Sequence, residues 1–339
     1  MTPLRREYVW LLPLYPLRFS PQFEYRPWGG QRLSALLGTR LPGDAPIGEA
    51  WLLSDREEHE SIVAEGALQG TSLRRLVEQW PAQVLGARAA HLQRFPLLLK
   101  FLDVTGTLSV QVHPSDAQVT LLPPGESGKT EAWVVLDSGS DARVYAGLKP
   151  ETTLLQLGHA IAHGTVAETL ASFAPQVGDA VLIPAGTVHC LHDVLVFEVQ
   201  ENSDVTYRLY DWGRVDGQTQ APRSLQVEEA LETIDFSQRS IGPAVPVQQS
   251  GSGVPRERLL ECEHFGLYRI RAESAFDVAG QAAPHILVCI DGHAQVIHEG
   301  KSYRLARGDT MLFPAAIGRC RCVPEPSATL LEVTLPHGD

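Results

Sequence analysis

Short apolar segments that alternate with polar positions recur along the chain, and turns rich in Gly, Pro and Asp separate them. Ala180–Ile183 (AVLI) and Val194–Gln200 (VLVFEVQ) are two examples, the second rich in β-branched and aromatic residues. Segments of this kind are too short for buried helices and have the composition of strands. The pattern therefore predicts a mainly β fold.

A helical spacing of apolar residues appears in three places within this β pattern. Thr71–Gln79 carries an apolar face behind a hydroxyl residue that can cap its first turn. Glu151–His163 and Val227–Ile234 have the same spacing, and Ala167–Ser172 is predicted to continue the second helix after a break at Gly164. We expect these helices to be insertions in a β-rich chain.

The N-terminal segment Arg5–Leu17 (RREYVWLLPLYPL) superficially resembles a secretory signal. Pro13 and Pro16 interrupt its apolar core, and no small-residue cleavage site follows, so we interpret it as an opening strand. Gly48–Glu65 is predicted to form two further strands. No apolar run reaches the length needed to span a bilayer, and we predict a cytoplasmic protein with no membrane partner.

Length and charge narrow the classes of partner. The chain has 339 residues, more than one typical domain, so two domains are expected. Its formal net charge is −12, from 28 basic and 40 acidic residues, and no basic stripe is present. This balance argues against nucleic acid and against anionic membranes as partners.

Potential metal ligands cluster in the segment before residue 132. The stretch LSVQVHP alternates, which places Ser109, Gln111 and His113 on one face of one strand. Glu131 begins another strand, EAWVVL, after a loop that carries Lys129. Two donors that are two residues apart on a strand can both reach one metal ion.

A second stretch supplies a further histidine. The spacing G-x5-P-x-G-x2-H runs from Gly178 to His189, where Pro184 ends a strand and Gly186 permits the tight turn that directs His189 inward. Together the two stretches provide N and O donors from three strands. That set suits zinc or another divalent first-row ion, and we predict one Zn²⁺ per chain.

The last third of the chain repeats this pattern without the ligands. YRLARGDTMLFPAAIGRC, which ends at Cys320, aligns with FAPQVGDAVLIPAGTVHC, which ends at Cys190, and Arg319 stands where His189 would be. His285 lies one residue out of register with Glu131 in the accompanying strand. The repeat predicts two barrels of the same kind, a catalytic metal-binding domain over 1–240 and a C-terminal domain over 241–339 that holds no metal.

Four motifs in order, QVHP, GKTEAW, PAGTVH and ENSDVTYRLYDWGR, resemble the type I phosphomannose isomerases of the short bacterial form, members of the cupin superfamily. The similarity runs from about Trp28 to Arg214. It implies two cupin jelly-roll domains and interconversion of mannose 6-phosphate and fructose 6-phosphate through an enediol or enediolate. The zinc ligands and active-site residues that it implies are Gln111, His113, Glu131 and His189 for the metal, Arg208 for catalysis, and Lys100, Ser109, Lys129, Glu198 and Asp204 around them. Glu201 departs from the glutamine usual in such proteins and is expected to add a carboxylate near the site.

This chemistry needs polarisation of a carbonyl, stabilisation of developing negative charge, proton transfer and an anchor for phosphate. Arg208 or Lys129 can stabilise charge, and Ser109, Lys129 and Arg208 can bind phosphate. Glu198, Asp204 and a Lys100 of lowered pKa are candidates for proton transfer.

Structural interpretations of the same side chains remain open. Lys100 can pair with Asp103 or with a buried carboxylate, and Arg208 can form a salt bridge with Asp204 or Asp211. Glu198 can serve as support for a neighbouring ligand.

Two other functions remain open from the sequence. One is a different metal-dependent cupin enzyme such as a dioxygenase, which Gln111 argues against because such enzymes favour histidine-rich iron sites. The other is a non-catalytic sugar-phosphate-binding cupin, which the intact ligand set argues against. The predicted partner is a small-molecule sugar phosphate, and the protein is expected to be a monomer or a small homo-oligomer.

Overall fold

The computed structural model describes residues 14–237, 240–250, 253–280 and 282–336. Within these residues the fold is mainly β, with two nine-stranded sheets and a few short helices, which confirms the predicted class. Most of the predicted opening strand lies outside the described residues, and the short strand β1 (Leu17–Arg18) follows it. No helix in the described ranges is both long and apolar enough to cross a membrane.

Strands are the main regular secondary structure in both halves. In chain order, the strands up to residue 210 are β1 (Leu17–Arg18), β2 (Gln22–Gly30), β3 (Ile47–Leu53), β4 (Asp55–Arg56), β5 (His59–Glu60), β6 (Leu97–Thr107), β7 (Val110–Val112), β8 (Glu131–Leu148), β9 (Leu170–Phe173), β10 (Ala180–Ile183), β11 (His189–Glu201) and β12 (Tyr207–Tyr210). The later strands are β13 (Val247–Gln249), β14 (Arg256–Glu261), β15 (Gly266–Ala272), β16 (Phe276–Val278), β17 (His285–His298), β18 (Lys301–Ala306), β19 (Thr310–Phe313) and β20 (Cys320–Thr334). The helices are α1 (Arg32–Leu37), α2 (Leu73–Gln79), α3 (Pro81–Leu85), α4 (Leu154–His163) and α5 (Val227–Thr233), with a 3₁₀ turn at Val166–Thr169.

The three predicted helices are present as α2, α4 and α5. Ser72 caps α2, and Thr153 caps α4 through a capping box with Gln156. The predicted helical continuation over Ala167–Ser172 is wrong. After the 3₁₀ turn the chain extends into β9, because pairing with β8 gives this segment backbone hydrogen bonds that an isolated short helix would lack.

The first sheet has the strand order β10-β8-β11-β6-β3-β2, and β7 joins β11 to β12 at one side. The segment predicted to begin at Val194 is part of one longer strand, β11, that starts at His189. This strand changes register between His192 and Val194, where Asp193 has a left-handed φ of 48°. The irregularity lets one strand pair with β7 near His189 and with β6 beyond Asp193.

The second sheet repeats the pairing of the first. Glu131 of β8 lies opposite Ile183 and Gln200, and His285 of β17 lies opposite Phe313 and Thr334. The predicted offset of His285 is therefore wrong, because the sheet places it at the position of Glu131. The segments EAWVVLD and HILVCID, which begin at Glu131 and His285, give the same equivalence when they are aligned without a gap.

A shared apolar core joins the two halves. Phe101 and Phe197 of the first sheet belong to the same buried cluster as Phe265 and Leu331 of the second. Burying an aromatic side chain of this size contributes about 2–3 kcal/mol, so the halves stabilise one another. Strand β1 pairs with β19 and thus belongs to the second sheet, while the division of the chain at residue 240 stays a prediction.

Candidate functional site

Strand register brings three predicted site residues side by side. Gln111 of β7 lies directly opposite His189 of β11 on one side and Arg208 of β12 on the other. Residues opposite one another in antiparallel strands present their side chains on the same face. Ligand and arginine positions that are distant in sequence therefore share one surface of the barrel.

The turn before His189 orients both histidines. Gly186 has a left-handed φ of 84°, and its N–H donates to the carbonyl of His113 at 2.8 Å. His189 Nδ1 lies 2.9 Å from the carbonyl oxygen of Thr187, and His113 Nδ1 lies 2.8 Å from that of Val205. Each Nδ1 donates its proton there, which leaves Nε2 as the free lone pair.

The free nitrogens converge on one buried carboxylate. His113 Nε2 lies 3.3 Å from Glu131 Oε2, and His189 Nε2 lies 3.2 Å from Glu131 Oε1. The three donor groups lie within 4.8 Å of one another. His113 Nε2 and both Glu131 oxygens are buried without a hydrogen-bond partner of good geometry. Orphaned buried atoms of this kind are costly, and a divalent ion at their centre would satisfy all of them.

Gln111 completes the donor set. Its Nε2 lies 3.3 Å from His189 Nε2, and its Oε1 accepts from the Ser109 hydroxyl at 3.2 Å. Rotation of the amide by half a turn exchanges these two atoms and directs the oxygen to the same centre as the histidines. The predicted four-residue ligand set is therefore assembled, and the residues present fit a bound metal.

Electrostatics keep the ligands in their metal-binding forms. Burial, helped by the nearby Lys129 ammonium, lowers the pKa of His113 to about 3, and burial also lowers that of His189. Burial alone would raise the pKa of Glu131, but Lys129 and the two histidines outweigh it and hold the pKa well below its usual range. Neutral imidazoles and an ionised carboxylate are the forms that bind a metal ion.

The segment between His113 and Glu131 closes on itself and returns Lys129 to the site. The Lys129 N–H donates to the carbonyl of Pro114 at 2.9 Å, so the loop is joined at its base. Lys129 Nζ lies 3.1 Å from Glu131 Oε2 and is buried. This loop thus places the Lys129 ammonium beside the group formed by His113, Glu131 and His189.

A pocket of about 450 Å³ opens over this group. The remaining predicted site residues all line it: Lys100, Ser109, Lys129, Glu198, Asp204 and Arg208. Gln111 lies at its floor, in front of the buried His113, Glu131 and His189. A volume of this size accommodates a small polar ligand.

Lys100 lies at the centre of three carboxylates. Its Nζ is 3.7 Å from Glu49 and 3.8 Å from both Glu198 and Asp204, and it sits 4.4 Å above the ring of Trp51. The alternative pairing of Lys100 with Asp103 is wrong. Asp103 instead binds Arg32 on the other face of β6, as the alternation of a strand requires.

Glu198 has an unusual environment for a carboxylate. It is buried, and its Oε1 accepts a hydrogen bond from Trp133 Nε1 at 2.9 Å. Burial, and then the charge of Glu131, raise the pKa of Glu198 to about 7 against the opposing effect of Lys100 and Lys129. A carboxyl group with this pKa can exchange a proton near neutral pH.

Arg208 is the pocket cation that has no carboxylate partner. Its Nε donates to Ser109 Oγ at 3.1 Å and its Nη1 donates to the carbonyl of Ser224 at 2.9 Å. Within the described part of the chain, no carboxylate lies within 4 Å of it. The alternative salt bridge to Asp211 is wrong, because Asp211 binds Arg214 and Arg223 instead.

Sequence reasoning missed several pocket residues. Glu49 pairs with Arg26 through two contacts of 2.9 and 3.0 Å and accepts from Trp51 Nε1 at 2.7 Å. Burial would raise the pKa of Glu49, but Lys100 and Arg26 lower it to about 2. A signal was available, since the tripeptide Glu-Ala-Trp occurs both at Glu49 and at Glu131, each time at an inward-facing carboxylate.

Glu201 does not add a carboxylate to the pocket. Its Oε2 accepts from the backbone N–H of Thr130 at 2.6 Å, and its Oε1 lies 3.3 Å from His264 Nδ1. It follows Gln200 on β11, so the alternation of the strand directs it away from the face of Glu198.

Comparison with known proteins places this geometry in a family. The chain matches the family description "Phosphomannose isomerase type I, catalytic domain" over residues 16–135 and "Mannose-6-phosphate isomerase, cupin domain" over residues 256–322. It is 33% identical to the mannose-6-phosphate isomerase ManA of Bacillus subtilis over 89% of this chain and 94% of that protein. It is 31% identical to the probable mannose-6-phosphate isomerase GmuF of the same organism over 90% of this chain and 95% of that one. The crystal structure of the B. subtilis mannose 6-phosphate isomerase superposes with a TM-score of 0.86 at 30% identity, covering 94% of this chain and 99% of the other.

Proposed function

Since the chain belongs to the type I phosphomannose isomerase family of enzymes, we propose that it interconverts mannose 6-phosphate and fructose 6-phosphate with one catalytic Zn²⁺. The observation that carries the proposal is the buried His113–Glu131–His189 group, which lies behind Gln111 in a pocket where Arg208 has no carboxylate partner. A metal centre and an anion-binding guanidinium in one small pocket are what an open-chain sugar phosphate requires.

Gln111, His113, Glu131 and His189 would hold the ion. When bound, it supplies Lewis-acid polarisation of the substrate carbonyl. His113 and His189 are buried and oriented by donation from Nδ1 to backbone carbonyls, so an ion held by their Nε2 atoms would be open to substrate from the side of the pocket.

Glu198 is our candidate for proton transfer between C1 and C2. It is held by Trp133 and lies 3.8 Å from Lys100, so its orientation is fixed while its pKa stays near neutrality. Asp204, whose side chain is 47% exposed at the mouth, is less enclosed and is less suited to the role. Lys100 would position Glu198 and favour its ionised form.

Arg208 and Lys129 are our candidates for stabilising negative charge on the substrate. Lys129, 3.1 Å from Glu131, would lie beside the oxygens on which negative charge develops in an enediolate. Arg208, nearer the mouth and bound to Ser109, would contact either the same oxygens or the phosphate through its free N–H groups. Both residues act as charge stabilisers, because a guanidinium and an ammonium paired with a carboxylate are poor bases.

Two observations favour this function over the alternatives. A non-catalytic binding protein has no use for a carboxyl group whose pKa is raised to about 7 inside the pocket. A dioxygenase would need a redox-active ion, whereas the donor set includes an amide and a glutamate together with two histidines.

The test is a coupled assay for fructose 6-phosphate on mannose 6-phosphate, with the metal content measured on the same sample. We expect turnover that disappears on chelation and returns with Zn²⁺. Tight binding of mannose 6-phosphate without turnover at full metal loading would instead show a binding protein. The cytoplasmic location and the oligomeric state stay predictions.

The pH dependence should report Glu198. A base must be ionised, so kcat/KM should fall about tenfold per pH unit on the acid side of its pKa. Because a bound cation stabilises the ionised form, this limb should lie at or below pH 7 in the metal-loaded enzyme. Glu198→Gln should lower turnover and remove the limb, and Asp204→Asn should keep it. An unchanged acid limb in Glu198→Gln would contradict the assignment.

A further inference from the structure

A second group of metal-ligand side chains lies outside the active-site pocket, between the two halves of the molecule. Asp116 lies in the loop between His113 and Glu131, Glu201 ends β11, and His264 lies in the turn between β14 and β15. One donor atom from each lies within 4.8 Å of the other two. The group borders a second pocket of about 700 Å³, which gives it access to solvent.

Each carboxylate is fixed through one oxygen and leaves the other available. Asp116 Oδ1 accepts from the N–H of Gly128 at 2.6 Å, and Glu201 Oε2 accepts from that of Thr130 at 2.6 Å. Glu201 Oε1 then lies 3.3 Å from His264 Nδ1. Two carboxylates anchored by backbone N–H groups, with an imidazole whose donor atom lies within 4.8 Å of both, are a preorganised donor set.

The balance of charge around Asp116, Glu201 and His264 also favours a bound cation. Glu201 is buried at 7% exposure, and a neutral or singly charged His264 can compensate at most one of the two carboxylates. A second partner of His264 is the exposed Glu263, 3.3 Å from its Nε2, which adds more negative charge. Burying the Glu201 carboxylate beside the exposed Asp116 without a full compensating charge is costly, and a divalent ion would remove that cost.

We propose that Asp116, Glu201 and His264 form a second divalent-cation site that binds Zn²⁺ or a similar first-row ion at the junction of the two halves. Two carboxylates and one imidazole, completed by water from the adjoining pocket, match the ligand preferences of such ions. The ion would tie the turn of the second half to the loop that carries Lys129, since Gly128 and Thr130 hold the two carboxylates.

The test is the Zn²⁺ stoichiometry of the full-length protein, measured by elemental analysis after equilibration with buffered free Zn²⁺. We expect two equivalents per chain in the wild type and the loss of one in His264→Gln and in Asp116→Asn. His91→Gln is the matched control, because His91 lines the same pocket but lies outside the donor group, and it should keep both equivalents. Retained mannose 6-phosphate turnover in His264→Gln shows that the variant is folded and that its catalytic ion is in place.

One equivalent in the wild type, or two in His264→Gln, would overturn the proposal. His189→Ala tests the catalytic centre separately, so missing Zn²⁺ at one site can be distinguished from missing Zn²⁺ at the other. Loss of an equivalent in His91→Gln as well would also overturn it, because the pocket surface rather than the donor group would then hold the ion.

Discussion

His189→Ala should remove one equivalent of Zn²⁺ and reduce turnover by about 10³-fold or more. His189 is fully buried, and its Nε2 lies 3.2 Å from Glu131 and 3.3 Å from Gln111. Without it, three donors remain, and Glu131 is left with Lys129 as its main compensating charge. A Lewis acid contributes several kcal/mol to a transition state, and each 1.36 kcal/mol corresponds to about tenfold in rate.

His298→Ala is the matched control for this experiment. His298 is also a buried histidine, and its Nε2 lies 3.0 Å from the carbonyl oxygen of Ile317 in the second sheet, away from the pocket. The His298→Ala variant should be less stable, because the substitution leaves a cavity and removes this hydrogen bond, but it should keep its metal and its turnover. Unchanged metal content with unchanged turnover in His189→Ala would contradict the assignment of the ligand set.

Much of the site was predictable because strand alternation is a strong geometric constraint. Once Ser109, Gln111 and His113 alternate on one strand, they must share a face, whatever the rest of the chain does. The Pro184–Gly186 turn likewise fixes the direction of His189, because few residues tolerate the left-handed backbone found at Gly186. These local rules hold in any barrel.

Features set by long-range pairing were not predictable. β9 forms because β8 is beside it, and the same residues in isolation have a helical pattern. The contact of Glu201 with His264 is also of this kind, since His264 lies 63 positions later in the chain, although strand alternation alone directs Glu201 away from the pocket. The equivalence of His285 and Glu131, in contrast, was available from the sequence, because HILVCID aligns with EAWVVLD without a gap.

The surroundings of Lys100 show how the two kinds of feature combine. Its position on an apolar strand predicted that the ammonium is buried, but it did not predict which carboxylates lie next to it. Glu49 and Glu198 come from β3 and β11, the two strands that flank β6. Because β6 lies between them, the cross-strand neighbours of Lys100 supply opposite charge on both sides, as its burial requires.

Arg208→Ala should retain the metal and the fold but lose about 10²–10³ in turnover, as removal of a preorganised charge stabiliser does. The guanidinium lies opposite Gln111 across β7 and β12 and is held by Ser109 and Ser224, so it is positioned before substrate binds. Its burial lowers its pKa below the usual arginine value, and the neighbouring Arg223 adds to this shift, yet it stays protonated. An anionic ligand is therefore its natural partner.

The lysine variant and a second arginine separate charge from geometry. Arg208→Lys should rescue little, because one ammonium cannot reproduce the two parallel N–H groups of a guanidinium. Arg223→Ala, which removes a pocket arginine already paired with Asp211 at 2.9 Å, should have a much smaller effect on turnover. Steady-state rates on mannose 6-phosphate with parallel metal analysis decide the case. A rise in KM with unchanged kcat would assign Arg208 to phosphate binding alone. Loss of metal would make it structural. A lower kcat at full metal loading would place it beside the developing charge.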